Sequence, residues 1–116
     1  MLVVDDEASI RDLLSKMLAL AGYDVDVASD GQFALARMRV SPYNLLTTDL
    51  KMPGMDGMAM ISEARRLDTE LPVIIITGFS TEATAIEAVN QSVSGYLTKP
   101  FKVPKVLKIA AKALGE

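Results

Sequence analysis

The sequence predicts an α/β domain: a doubly wound, five-stranded parallel sheet in the order 2-1-3-4-5, covered by five helices. Three observations carry this. Apolar strand-like runs alternate with helix-periodic segments from end to end, the pattern of a parallel sheet with helices on both faces. Val73–Thr77 is β-branched throughout, as a central strand buried on both faces requires. Four apolar runs end in a group able to bind a metal or a phosphate: Asp5-Asp6-Glu7, Asp49, Thr77 and Lys99-Pro100. Open parallel sheets bind ligands at the carboxyl ends of their strands, beside the point where the strand order reverses.

The elements read in order as follows. Leu2-Val3-Val4 is the first strand. Ile10, Leu13, Leu14, Met17, Leu18 and Ala21 then fall at the i, i+3, i+4, i+7 spacing of one helix face. Ser9 is a candidate cap for this helix with Asp12 as a weak capping-box partner, and Gly22 ends it. Asp24 to Ala28 alternates polar and apolar, a half-buried strand nearer an edge. A short helix covers 31–38, with Phe33, Ala34, Leu35 and Met38 apolar, and Ser41-Pro42 breaks it. Leu45–Thr48 is the third strand. Lys51 to Gly57 is a loop by its Pro and Gly content, and Met58–Leu67 is helical. After the fourth strand, 78–81 is a loop, 82–89 a helix, Gly95–Thr98 the fifth strand and Val103–Leu114 the last helix. No repeat, linker or low-complexity segment interrupts the pattern, so residues 1–116 read as one domain, either stand-alone or an excerpt of a longer protein.

Composition excludes several chemistries. The chain has neither Cys nor His, so disulfides, thiolate or imidazole metal sites and Ser-His catalysis are absent. A net charge of −3 gives no reason to expect nucleic-acid or acidic-membrane binding. The apolar stretches fall far short of the ~20 residues needed to span a bilayer. No signal-peptide pattern is present, and a cytoplasmic location is expected.

The acids make a site only together. In the order 2-1-3-4-5 the first and third strands are neighbours, and a spacing of ~4.8 Å brings Asp5, Asp6 and Asp49 within reach of one ion. Like charges 4 Å apart repel by about 4 kcal/mol at an effective dielectric of 20, which a bound cation removes. An all-oxygen donor set suits Mg²⁺, with Mn²⁺ or Ca²⁺ as alternatives. Taken singly, Asp5, Asp6 and Glu7 read as helix-dipole acids, Asp49 as a loop acid, Thr77 as a strand-end β-branched residue and Lys99 as a solvated lysine. The Lys99–Pro100 bond is an X-Pro bond, which admits a cis form. Met52, Met55, Met58 and Met60 read as loop and helix packing rather than a cofactor patch.

Val-Val-Asp-Asp-Glu at 3–7, Thr-Asp-Leu-Lys-Met-Pro-Gly-Met-Asp-Gly at 48–57, Ile-Thr-Gly at 76–78 and Tyr-Leu-Thr-Lys-Pro-Phe at 96–101 together resemble the motifs of the response-regulator receiver domain, the phospho-acceptor module of two-component signalling. The resemblance covers essentially the whole chain. It implies a flavodoxin-like fold and Asp49 as the residue phosphorylated. Asp5 and Asp6 would hold Mg²⁺, with Asp49 and the backbone carbonyl of Lys51 as further ligands. Lys99 would bind the phosphoryl group, and Thr77 would donate to it. Tyr96 would turn inward when Thr77 moves. The donor would be a phosphohistidine of a sensor histidine kinase or phosphotransfer protein. Self-catalysed phosphorylation and dephosphorylation would be the only catalysis. The output would be a homodimer or an output domain engaged through the face of the fourth helix, fifth strand and fifth helix. The sequence departs from the family at Ser92-Val93, which align with its common Gly-Ala pair. Two alternatives are a phosphate-blind interaction module of the same fold and, less well supported, an aspartate-nucleophile phosphatase of the haloacid-dehalogenase kind. The phosphatase would want a cap domain that the chain has no insertion to build.

Overall fold

The computed structural model describes residues 1–116. Its elements are β1 (Leu2–Val4), α1 (Ala8–Leu20), β2 (Asp26–Ala28), α2 (Gly31–Val40), β3 (Leu46–Thr48), α3 (Gly57–Leu67), β4 (Val73–Thr77), α4 (Glu82–Asn90), β5 (Gly95–Thr98) and α5 (Val103–Ala113). All strand pairs are parallel and the order is β2-β1-β3-β4-β5, as expected. The order reverses between β1 and β3, and the acids lie at the ends of those two strands.

The period-2 alternation of the strands sorts side chains into two cores. Leu2, Val4, Leu46, Val73 and Ile75 pack against Ala34 and Leu35 of α2, Met60, Ile61 and Ala64 of α3, and Ala88 of α4. Val3, Leu45, Ile74, Ile76 and Leu97 face the other way, against Leu14, Met17 and Leu18 of α1 and Val106 and Ala110 of α5. All five residues of β4 are buried, in keeping with its β-branched composition.

Local chemistry sets the helix ends, with one correction. Ser9 does not cap α1: the N-cap is Glu7, with no side-chain bond. The Asp5 carboxylate instead accepts from the Glu7 amide at 2.9 Å, so the chain enters the helix two residues early and Ser9 falls inside the first turn. Gly22, at φ +100°, follows the C-cap Ala21 of α1, where a left-handed residue is needed. Asp30 and Asp56 cap α2 and α3 by accepting from the amides three residues on. Phe33 is not a core residue of α2. It is half exposed, with the Arg37 guanidinium 5.5 Å from its ring centre. Ser92, standing where glycine is usual in the resembling family, has φ 54°. No helix is long and apolar enough to cross a membrane.

Candidate functional site

Backbone pairing brings the acids together. The Asp49 amide donates to the Val4 carbonyl at 3.1 Å, which sets the residue after β3 beside Asp5. The Lys99 amide donates to the Thr77 carbonyl at 2.8 Å, which sets the residue after β5 beside the end of β4. Asp5, Asp49 and Thr77 are buried; Asp6 and Glu7 are exposed. The four carboxylates of Asp5, Asp6, Glu7 and Asp49 offer oxygens within 4.8 Å of one another.

Lys99 holds the centre. Its ammonium lies 2.8 Å from Asp5 Oδ2, 2.9 Å from Asp49 Oδ2 and 3.0 Å from Glu7 Oε1. The ammonium donates to Asp49 and Glu7 and stands in an ion pair with Asp5. The Lys99–Pro100 peptide is cis. Burial pushes Lys99 toward deprotonation, but Asp5, Asp49 and Glu7 outweigh it and hold its pKa above the ordinary lysine value. Burial also pushes Asp49 up. Hydrogen bonds from Lys99, Thr77 and the Leu50 amide reverse that, and its carboxyl sits below the usual value. At Asp5 burial wins over Lys99 and the Glu7 amide, and the carboxyl is raised. Asp49 is therefore a buried carboxylate held in its ionised form, the state in which its oxygens are nucleophilic.

The site opens into a cleft of about 580 Å³ lined by Asp6, Glu7, Asp49, Lys51, Met52, Pro53, Gly78, Phe79 and Lys99. The Lys51 ammonium lies 4.7 Å from the centre of the Phe79 ring, linking the loops after β3 and β4 across this cleft. Thr77 Oγ1 accepts from the Phe79 amide at 2.9 Å. Tyr96, half-buried against the core on the α3 side, is on β5 and remote from the carboxylates.

The donor set suits a hard dication. All its ligand atoms are oxygens, and the carboxylates already accommodate one positive charge, that of Lys99.

Residues 1–111 match the family model described as the response regulator receiver domain. The chain belongs to the response regulator receiver family. Curated relatives of this receiver include the transcriptional regulatory protein ZraR of Salmonella typhimurium, 37% identical over 97% of this chain. The DNA-binding transcriptional regulator NtrC of the same organism is 36% identical over 97% of it. The chain spans only 26% and 24% of those proteins. Among solved structures, the receiver domain of NtrX from Brucella abortus superposes with a TM-score of 0.92 at 34% identity, covering 98% of this chain and 97% of that one. The Vibrio cholerae chemotaxis protein CheY4 gives 0.90 at 31%, covering 97% and 96%.

The structure brings Asp5, Asp6, Asp49, Thr77 and Lys99 to one sheet edge, with Lys51 on the rim and Tyr96 apart. Sequence reasoning missed four residues. Glu7 reads in the sequence only as part of an acidic run, yet it accepts from the Lys99 ammonium at 3.0 Å. Ser80 and Thr84 place their hydroxyls on Tyr96 at 2.8 and 3.0 Å; the Thr81-x-x-Thr84 spacing was the available signal, since it makes a capping box. Gly57 sits where a Cβ would strike the backbone carbonyl of Asp49 and lie 2.7 Å from Leu50 Cα.

Proposed function

We propose that this receiver accepts a phosphoryl group on Asp49 from the phosphohistidine of a sensor histidine kinase or phosphotransfer protein. The observation that carries this reading is the ionised, buried Asp49 at the mouth of an open cleft, with the Lys99 ammonium 2.9 Å from its Oδ2. An Asp49 oxygen attacks phosphorus in line, the phosphorus–nitrogen bond to the imidazole breaks, and the leaving nitrogen takes up a proton. Such transfer depends on positioning and on neutralising charge, which Lys99 supplies from within the site. Asp5, Asp6, Asp49 and the carbonyl of Lys51 would hold Mg²⁺, which would neutralise further charge on the phosphoryl oxygens. Mn²⁺ fits the same donors. Water later cleaves the aspartyl phosphate to phosphate and free carboxylate. No turnover of an external substrate is proposed.

The phosphoryl group adds about −1.5 to −2 charge. Lys99 and the Thr77 hydroxyl turn to it, the loop after β4 follows, and Tyr96 buries further. The altered face is that of α4, β5 and α5. Ile86 and Val89 of α4 are exposed there, α4 carries Glu82 and Glu87, and exposed Lys102 is the N-cap of α5, which carries exposed Lys105, Lys108 and Lys112. Those charges complement one another, which supports a second copy or an attached output domain as the partner. A cytoplasmic location accords with a kinase partner.

The test is phosphotransfer from a purified, ³²P-labelled histidine kinase. Label should move to the wild type in Mg²⁺ and not to Asp49→Asn. Failure of a folded wild type with several donors would leave the phosphate-blind module standing instead.

A further inference from the structure

Helix α4 is the least anchored of the five. It buries one residue, Ala88, against three in α1 and α2, five in α3 and two in α5. Its position therefore depends on a few polar contacts. At its C-terminal end, Gln91 Nε2 donates to Ser62 Oγ at 2.9 Å and Arg65 Nη2 donates to the Ser92 carbonyl at 3.2 Å. At its N-terminal end the ties are hydroxyls.

The Tyr96 hydroxyl donates to Ser80 Oγ at 2.8 Å and lies 3.0 Å from Thr84 Oγ1. A phenol has one proton. With that proton on Ser80, Thr84 is the donor to Tyr96. Thr84 is also the third residue of α4, and its Oγ1 accepts from the Thr81 amide at 2.8 Å to close the capping box. One side chain of β5 is thus bonded both to the loop after β4 and to the cap of α4.

We propose that Ser80 and Thr84 form a hydroxyl latch on Tyr96, holding the first turn of α4 in its unphosphorylated position until Thr77 moves. The inference rests on the phospho-acceptor reading above and adds the residues that set its resting state. The route is short. Thr77 Oγ1 accepts from the Phe79 amide, so a hydroxyl that turns to a phosphoryl group releases that amide. Ser80, the next residue, loses its position, and Tyr96 loses a partner. Tyr96 then keeps only Thr84, whose proton has a competing acceptor in the Thr81 carbonyl at 2.9 Å. Ser80 and Thr84 are positioning residues: neither touches Asp49.

The test uses Ser80→Ala and Tyr96→Phe, which remove hydroxyls, add no bulk and keep the ring. One net hydrogen bond corresponds to about a fivefold population shift. In hydrogen exchange without any phosphoryl donor, the Ala85 amide, bonded to the Thr81 carbonyl, should exchange about fivefold faster in both variants, while amides of α5 stay unchanged. Beryllofluoride with Mg²⁺, a tetrahedral phosphoryl analogue, should bind both variants about fivefold more tightly than wild type. Faster exchange with unchanged beryllofluoride affinity would make the hydroxyls mere structural ties and overturn the latch. Unchanged exchange would overturn it equally. A folded wild type that fails to bind beryllofluoride at all would instead strike the phospho-acceptor reading, and the latch's coupling to phosphorylation with it.

Discussion

Replacing Gly57 with Ala should damage the site without touching any ionisable group. Gly57 opens α3, and its amide donates to the Leu50 carbonyl at 2.7 Å, so the helix starts directly against the residue that follows Asp49. An added Cβ would collide with the Asp49 carbonyl oxygen and stand 2.7 Å from Leu50 Cα, where ordinary contact begins near 3.4 Å. The contact with Leu50 alone asks for a retreat of about 0.7 Å, and the closer Asp49 oxygen asks for more. Neither backbone can retreat cheaply: Asp49 and Leu50 are buried at 5% exposure each, and the first turn of α3 is pinned by Asp56, whose carboxylate accepts from the Ala59 amide at 2.8 Å. Overpacking of this kind costs about 1–3 kcal/mol, and weakening the Gly57–Leu50 bond adds about 1 kcal/mol. For a domain of this size the sum lowers Tm by about 10 °C, read by circular dichroism. The retreat also moves Asp49 relative to Lys99, and a 1 Å misplacement in a reacting site costs up to about 100-fold in rate. Phosphorylation by phosphoramidate, followed by intact mass, should therefore slow by at least tenfold at a temperature where the variant is folded. A variant within about 2 °C of wild type and equally fast would refute the claim that close packing of α3 on the β3 exit positions Asp49.

Lys99→Met should make stability rise on acidification in EDTA. Asp49, held below its usual 3.8, contributes stability above pH 3.8 and loses it as pH falls through the lowered value, whereas Asp5, raised above 3.8, favours the fold below pH 3.8 and loses that contribution as pH rises through its raised value. In wild type the two oppose. Without Lys99 both carboxyls are buried beside like charge and both are raised, so the variant should gain on the order of 1 kcal/mol from pH 7 to 5, seen in urea midpoints; a variant that loses stability on that acidification would refute the account. Millimolar Mg²⁺ should restore much of that stability at pH 7. Ser92→Gly should stabilise the domain by about 0.5–1 kcal/mol, because φ 54° strains a residue with a Cβ more than it strains glycine; a lower urea midpoint would contradict this. Asp5→Asn should weaken Mg²⁺ binding by at least tenfold, measured by calorimetry, since one of the few charged oxygen donors is lost.

The fold was legible because its signals are redundant. Val73–Thr77 could only be a buried parallel strand, and the periodicity of α1 and α5 left little choice of face. Helix ends were less legible. The N-cap of α1 fell on Glu7 because the Asp5 carboxylate took its amide, a competition set by the site rather than by local propensity. Apolarity alone did not tell buried Ala34 and Leu35 from Phe33, which is half exposed beside Arg37. At the site, strand-end placement pointed to Asp5, Asp49, Thr77 and Lys99 because chemistry-bearing residues closed four apolar runs. Glu7, Ser80 and Thr84 stayed hidden because their contacts join segments far apart in the chain, Glu7 to Lys99 and Ser80 and Thr84 to Tyr96. Gly57 looked like one loop glycine among several; only the approach of α3 to the Asp49 carbonyl shows what it is for.

The central claim is that Asp49 is a phospho-acceptor dependent on a dication. Intact mass after incubation with phosphoramidate, in Mg²⁺ and in EDTA, tests it most directly. The account predicts a single phosphoryl adduct on the wild type in Mg²⁺, little or none in EDTA, and none on Asp49→Asn. A folded wild type with no adduct in Mg²⁺, or an adduct of equal yield on Asp49→Asn, would contradict it.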